Sequence, residues 1–387
     1  MMENNSKKRI LIFSTAYYPF VGGAEVAIKE ITDRLSSDFD FDLITARLDK
    51  NLKKEEKVGS VRVYRLGSGN ESFDKVFLPL RALSLIKKLN KQNNYHCFWA
   101  MMITWSSLGG FLFNFGRSNK VPIVLTLQEG DSETHLNFGR LGFIGLSWKF
   151  ALRSTKYLTG ISNFLIDRAK KIGYKGQSFL VPNGVDLQVF SKDFNEETKE
   201  EMKKVLVKKE GDIFLVTTGR LTFKNATDDI ISALVKLREN IHLIVLGKGE
   251  EGAFLQKQAD SLGVSERVKF VGFVDYQNIP KYFSVCDIFI RPSRSEGFGN
   301  SFIEAMAAKL PVIATPVGGI PDFLSDKETG VFCSPDNPQS IVRAVNLILE
   351  DEQIRSKIVN NAFQMVSTRY GWDTVGIQMK SVFDKVS

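Results

Sequence analysis

The sequence predicts an α/β protein built from two doubly wound, Rossmann-like domains facing across a cleft. Three observations predict it. Short apolar runs alternate with longer amphipathic stretches along nearly the whole chain, the rhythm of parallel strands joined by crossover helices. One charged, polar stretch at residues 186–210 interrupts that rhythm, which then starts again. The 387 residues suit two domains at roughly 100–200 residues each.

The first series places strands at 9–14, 41–45, 97–102, 122–127, 157–161 and 179–181, with helices at 24–35 and 79–90. The second places strands at 213–217, 242–246, 268–270, 288–291 and 312–314. Its helices fall at 227–237, 252–261, 279–283, 300–308, 340–350 and 352–368. The domains are therefore expected at 1–190 and 191–369. An amphipathic helix at 370–387 is expected to pack back on the first domain. Ligands of such sheets bind outside the carboxyl ends of the strands, so a cleft between two of them is the expected site.

Composition narrows the function classes. Hydrophobic residues make up 43% and charged residues 25%, enough for two cores in a globular chain. Cys97, Cys286 and Cys333 are far apart in apolar stretches and read as buried free thiols of a reducing compartment. Neither they nor His96, His135 and His242 form a metal-binding spacing, so no metal is expected. No signal-peptide core precedes the first strand. The uncharged stretch 97–115 is broken by Ser106, Ser107, Gly109, Gly110 and Asn114, and reads as a buried strand entering a buried helix rather than a membrane span. A cytoplasmic location is expected.

Charge is unevenly shared. Residues 1–185 hold 27 Lys and Arg against 16 Asp and Glu, whereas residues 186–387 hold 25 against 28. A basic half suits nucleic acid, an anionic membrane, an acidic substrate or plain solubility. No nucleic-acid-binding motif accompanies it, so no nucleic-acid partner is expected.

Several short motifs have two readings. Gly22 and Gly23 lie between the first strand and its helix, either as a tight turn or where backbone amides meet a phosphate. Gly247, Gly249 and Gly252 form a literal G-x-G-x-x-G, but after the second strand of their half, which argues against a dinucleotide site. Asp38, Asp40 and Asp42 mimic a metal-binding D-x-D, but at the amino edge of a strand, where a solvated turn is expected.

The segment RPSRSEGFGNSFIEAMAAKLPVIATPVGGIP, residues 291–321, concentrates chemistry. Glu296 falls in the loop after a strand and Glu304 in the following helix. Amides of Gly297, Phe298, Gly299 and Asn300 at that helix start suit a diphosphate. Glu304 can accept two hydroxyls of a diol, or Ser301 and Glu304 can form a capping box with no ligand at all. Arg220 and Lys224 follow the strand at 213–217. Two cations there would stabilise a nucleoside-diphosphate leaving group without a metal.

On these residues the chain resembles the family-four retaining glycosyltransferases of the GT-B fold. The resemblance runs along nearly the whole chain. It rests on Gly22 to Glu25, on VPNGVD at 181–186, on Thr218 to Arg220 with Lys224, and on Glu296 and Glu304 followed by PVIATPVGGIP at 311–321. It implies that Glu296 contacts the donor sugar, Glu304 the ribose, and Arg220 and Lys224 the diphosphate, with Gly22 and Gly23 closing over it. Implied too are a UDP- or GDP-linked donor, a glycan or lipid-linked acceptor and no cofactor.

One position departs from the family pattern. Many relatives carry a histidine where this chain has Gln128, which can hydrogen-bond but not protonate; Glu129 or Asp131 would share the acceptor side. Lys87, Lys88, Lys91, Arg117, Lys120, Arg140 and Lys149 lie among Phe111, Phe113 and Phe143, a pattern that suits peripheral docking on the inner membrane face. Two other functions stay open at this stage: a sugar-nucleotide epimerase on the same fold, and a non-catalytic sugar-nucleotide binder.

Overall fold

The computed structural model describes residues 7–128, 130 and 143–386. The chain divides into two compact units, Met1–Asn183 with Trp372–Ser387, and Gly184–Gly371.

The strands of the first unit are β1 (Lys8–Phe13), β2 (Phe39–Ala46), β3 (Glu55–Val58), β4 (Val61–Leu66), β5 (Cys97–Met101), β6 (Ile123–Leu127), β7 (Tyr157–Gly160) and β8 (Gln177–Leu180). They form one sheet in the order β3-β4-β2-β1-β5-β6-β7-β8, parallel except where β3 runs against β4. Ile10 to Phe13 are wholly buried, as a central parallel strand covered on both faces requires. The helix Gly23–Arg34 turns Ala24, Ala27, Ile28 and Ile31 to the core on one stripe. The helix Trp372–Lys385 buries Trp372, Val375, Met379, Val382 and Phe383 in the same core. The Phe383 ring meets Phe39 at 5.5 Å and Trp99 at 5.4 Å.

The second unit holds β9 (Ile213–Thr218), β10 (Ile241–Leu246), β11 (Val268–Gly272), β12 (Ile288–Arg291), β13 (Val312–Ala314) and β14 (Val331–Phe332). All are parallel, in the order β11-β10-β9-β12-β13-β14. The chain builds outward from β9 in one direction and from β12 in the other. The carboxyl ends of β9 and β12 therefore flank the point where strand order reverses.

Several expectations change. The first boundary falls at 183/184 rather than 190/191, because the helix Leu187–Phe190 buries Phe190 against Tyr276 and Phe283 of the second unit. The second falls at 371/372 rather than 369/370. The presumed connection at 186–210 folds into that helix and a second one, Glu196–Leu206. The helix expected at 79–90 runs from Glu71 to Asn93. Its start is set by Asn70, which accepts from the Phe73 amide, and by buried Asp74, which accepts from the amides of Ser68, Gly69 and Asn70. Asp42 is buried inside β2, accepting from the Tyr95 hydroxyl at 2.5 Å, so it is not part of a solvated turn. Phe111 and Phe113 are buried too, which removes them from any docking surface. Arg140 and the Phe143 side chain lie outside the described residues.

Candidate functional site

Two loops meet at the strand-order reversal of the second unit. One leaves β9 and carries Arg220 and Lys224; the other leaves β12 and carries Glu296. Three sets of contacts hold them.

Arg291, the last residue of β12, organises the first group. It is almost fully buried, and a buried guanidinium needs partners for its five N–H groups. It pairs with the Glu296 carboxylate, donates to Ser301 Oγ at 2.7 Å and to Ser293 Oγ at 3.2 Å, and reaches the Thr218 carbonyl at 3.4 Å. Its guanidinium also lies 4.8 Å from the Phe302 ring centroid. Glu296 is thus a fixed, ion-paired carboxylate and not a free loop acid.

Arg294 organises the second group. It donates twice to Asp228 at 2.9 Å, once to Asp336 at 2.6 Å and once to the Phe223 carbonyl at 2.8 Å, and stacks over the Phe223 ring. Its backbone amide donates to the Lys224 carbonyl at 2.8 Å. The turn carrying Lys224 is therefore tied to the loop carrying Glu296. These carboxylates raise the Arg294 pKa, whereas burial pushes Asp229 up to about 6 despite the same guanidinium.

Glycines provide the third. A Cβ on Gly318, which sits at φ +57°, would lie 1.7 Å from the Glu296 carbonyl oxygen, and the Gly319 amide donates to that oxygen at 3.2 Å. A Cβ on Gly247 would lie 1.8 Å from the Gly219 carbonyl oxygen. The G-x-G-x-x-G segment is used there: the loop after β10 takes the Gly219 and Leu221 amides at 3.0 and 3.1 Å and braces the Arg220 loop.

The helix Asn300–Ala307 begins beside Glu296. Its N-cap is Gly299, and Ser301 lies inside the helix bonded to Arg291, so the capping box, one of the two readings of Ser301 and Glu304, does not form. Glu304 is 8% exposed, and its carboxyl makes no hydrogen bond among the described residues. Burial raises its pKa to about 7 against the opposing pull of Arg291. Gly297 donates its amide to Glu296 at 3.2 Å, while Phe298 is buried against Phe323 and Tyr370. Arg220 and Lys224 are exposed, and neither side chain forms an ion pair among the described residues. The site thus presents two cations, a helix N-terminus, a pinned carboxylate and a buried carboxyl lacking a partner.

Comparison with known proteins decides what such a site belongs to. A glycosyltransferase family 4 model matches residues 21–189, and a glycosyl transferases group 1 model matches residues 198–365. The chain belongs to the family-four type of GT-B glycosyltransferases. An uncharacterized glycosyltransferase of Methanocaldococcus jannaschii is 26% identical over 97% of each chain. Sucrose-phosphate synthase from Thermosynechococcus elongatus shares the fold with a TM-score of 0.83 at 20% identity, covering 98% of this chain and 99% of that one. Anabaena HepE, solved with UDP-glucose, gives a TM-score of 0.78 at 19% identity, covering 97% and 99%.

In the first unit of this glycosyltransferase, Gly22 caps the helix Gly23–Arg34, and both glycines are exposed. Glu25 folds its carboxylate back onto the Gly22 amide and its own; burial raises its pKa while those amides oppose the rise. An anion arriving there meets that carboxylate first. Gln128 follows β6 and donates to Asn183 Oδ1 at 3.2 Å. Glu129 and Asp131 lie outside the described residues.

Sequence reasoning missed Arg291, Arg294 and a hydroxyl cluster. In that cluster, Thr15 after β1 meets Thr104 and Ser106 after β5 at 3.0 and 3.3 Å. Arg291 did leave a signal, as a cation closing the otherwise apolar strand IFIR. Arg294 and the hydroxyls left none.

Proposed function

We propose that this glycosyltransferase moves a hexose from a UDP- or GDP-linked donor to a glycan or lipid-linked acceptor, with retention of anomeric configuration and without a metal. The observation that carries the reading is the buried Glu304 carboxyl, which lacks a hydrogen-bond partner, on the helix that starts beside the pinned Glu296. Glu304 accepts the ribose hydroxyls, filling its missing hydrogen bonds. Arg220 and Lys224 neutralise the diphosphate as it departs, a charge role that a metal fills in other designs. The helix dipole at the start of Asn300–Ala307 adds to that field. Glu296, held by Arg291, stabilises the donor sugar as positive charge develops at its anomeric carbon. The family resemblance alone assigns Gly22 and Gly23 to the diphosphate, and Gln128, with Glu129 or Asp131, to the acceptor.

The bound UDP-glucose of HepE and the common fold support a nucleotide-sugar donor. The basic first half supports a peripheral position on the inner membrane face. No helix among the described residues is long and apolar enough to cross a membrane.

Glu296→Gln and Lys224→Ala test the roles. Each is expected to lower kcat roughly 10²–10³-fold, as loss of a charge-stabilising group does, with an unchanged melting temperature for exposed Lys224. Near-normal turnover in either rejects its assigned role. NMR of the product's anomeric proton decides retention: the inverted anomer overturns it.

A further inference from the structure

We propose that the outward stripe of the helix Glu71–Asn93 is the surface by which this glycosyltransferase docks on an anionic bilayer. Residues three and four apart share one helix face. On this helix one face carries Phe73, Val76, Phe77 and Leu80, and the same line continues about two to three turns later through Lys87, Lys88 and Lys91. The opposite face buries Leu78, Ala82, Ile86 and Leu89 in the fold.

The outward line is open to solvent along its length. Phe73 is 50% exposed, Val76 48%, Phe77 39% and Leu80 62%, and the three lysines are exposed. Phe73 and Phe77 stack at 4.4 Å, so the apolar end is a formed ridge. The helix is roughly 34 Å long at 1.5 Å per residue, apolar at its start and cationic at its end.

An occupant must therefore offer apolar volume and negative charge side by side. Lys87, Lys88 and Lys91 form no ion pair among the described residues, and the chain up to residue 185 carries eleven more positive than negative side chains. A bilayer of anionic lipid supplies both halves: acyl chains for the aromatic ridge, phosphates for lysines that reach out along the interface. The same stripe on a second copy supplies no anion. Paired in parallel, the stripes set lysine against lysine; paired antiparallel, they set lysine against the apolar ridge. Burial of Phe111 and Phe113 removes those two aromatics from the surface first suggested by the sequence, while its Lys87, Lys88 and Lys91 stay exposed. Docking gives access to a lipid-linked acceptor, and to that extent it rests on the acceptor reading above.

The test is co-sedimentation of the full chain with phosphatidylcholine vesicles, and with phosphatidylcholine–phosphatidylglycerol vesicles, at low and high salt. Wild type is expected to bind the anionic vesicles in a salt-sensitive way. Phe77→Ser/Leu80→Ser and Lys87→Gln/Lys88→Gln/Lys91→Gln are each expected to weaken that binding about tenfold or more, at roughly 1 kcal/mol per lysine near such a surface. The lysine variant also loses the salt sensitivity. Equal binding to both vesicle types, or unchanged binding by both variants, overturns the proposal. A wild-type dimer in sedimentation velocity that the serine variant dissolves, without vesicle binding, assigns the stripe to a second copy. Thermal shift with UDP-glucose and GDP-mannose reads the donor site separately. A shift kept in both variants shows that they are folded, and its absence in wild type counts against the donor reading alone.

Discussion

Glu296 and Glu304 lie eight residues apart and occupy opposite electrostatic settings. Glu296 has a guanidinium at contact, while Glu304 is buried without a hydrogen bond and titrates near 7. Its ordinary value is 4.5, so between about 4.5 and 7 the folded chain holds a proton that the unfolded chain has released. Stability from this group is therefore greatest below that window and falls as pH rises through it. Donor binding runs the other way. Two ribose hydroxyls favour the ionised carboxylate, and the diphosphate of a nucleotide sugar has no ionisation in this range. Donor affinity measured by calorimetry should rise from pH 6 to 8, by up to about tenfold per pH unit below 7, with proton release. Glu304→Gln should flatten the profile, and a flat wild-type profile removes Glu304 from the donor site. Both glutamates could be read from the segment itself, because spacing along a loop and helix is local. Arg291 showed only as a cation closing an apolar strand, and Arg294 not at all, since its importance arises where the loops after β9 and β12 meet.

The elements that hold the site are loops whose backbones touch, and this puts a strict limit on side-chain volume. Gly318→Ala would push a methyl group into the Glu296 carbonyl at a backbone angle that disfavours any Cβ. Gly263 shares the positive angle, at φ +68°, but has open space around it. Gly263→Ala should therefore cost only backbone strain, about 1–2 kcal/mol, read as a small drop in melting temperature with normal activity. Gly318→Ala should lose more stability and most activity, because Glu296 must move. Equal effects on activity would show that the contact does not position Glu296. The alternating pattern of apolar runs was enough to reveal the two doubly wound halves. It hid β3 and β4, because EEKV is polar and VRVYRL is interrupted by arginines. Arg65 is nevertheless buried, paired with Glu56 at 2.6 Å and donating to the Tyr18 carbonyl at 2.6 Å. A buried, satisfied arginine looks the same in sequence as a solvated one.

At the scale of the molecule, the first unit is completed by residues from beyond the second. Trp372, Val375, Met379, Val382 and Phe383 are each at most 2% exposed in its core. Deleting five such side chains at about 2–5 kcal/mol each matches or exceeds the roughly 5–15 kcal/mol by which a domain is stable. A chain ending at Gly371 should lose the cooperative melting of the first unit, with limited proteolysis leaving a protected fragment near residues 184–371. A calorimetric trace like that of the longer chain would show the helix to be dispensable. The amphipathic tail was legible as a helix, because its pattern is local; the unit it completes is a matter of long-range packing. The same arrangement sets an order of events at the ribosome. The second unit is one uninterrupted stretch and can close as soon as it has emerged. The first is translated earlier yet waits, with part of its core uncovered, until the helix Trp372–Lys385 follows nearly two hundred residues later. During that interval the nascent chain exposes the apolar faces of β2 and β5 that Phe383 later covers, and chaperones would find it most in need of cover there.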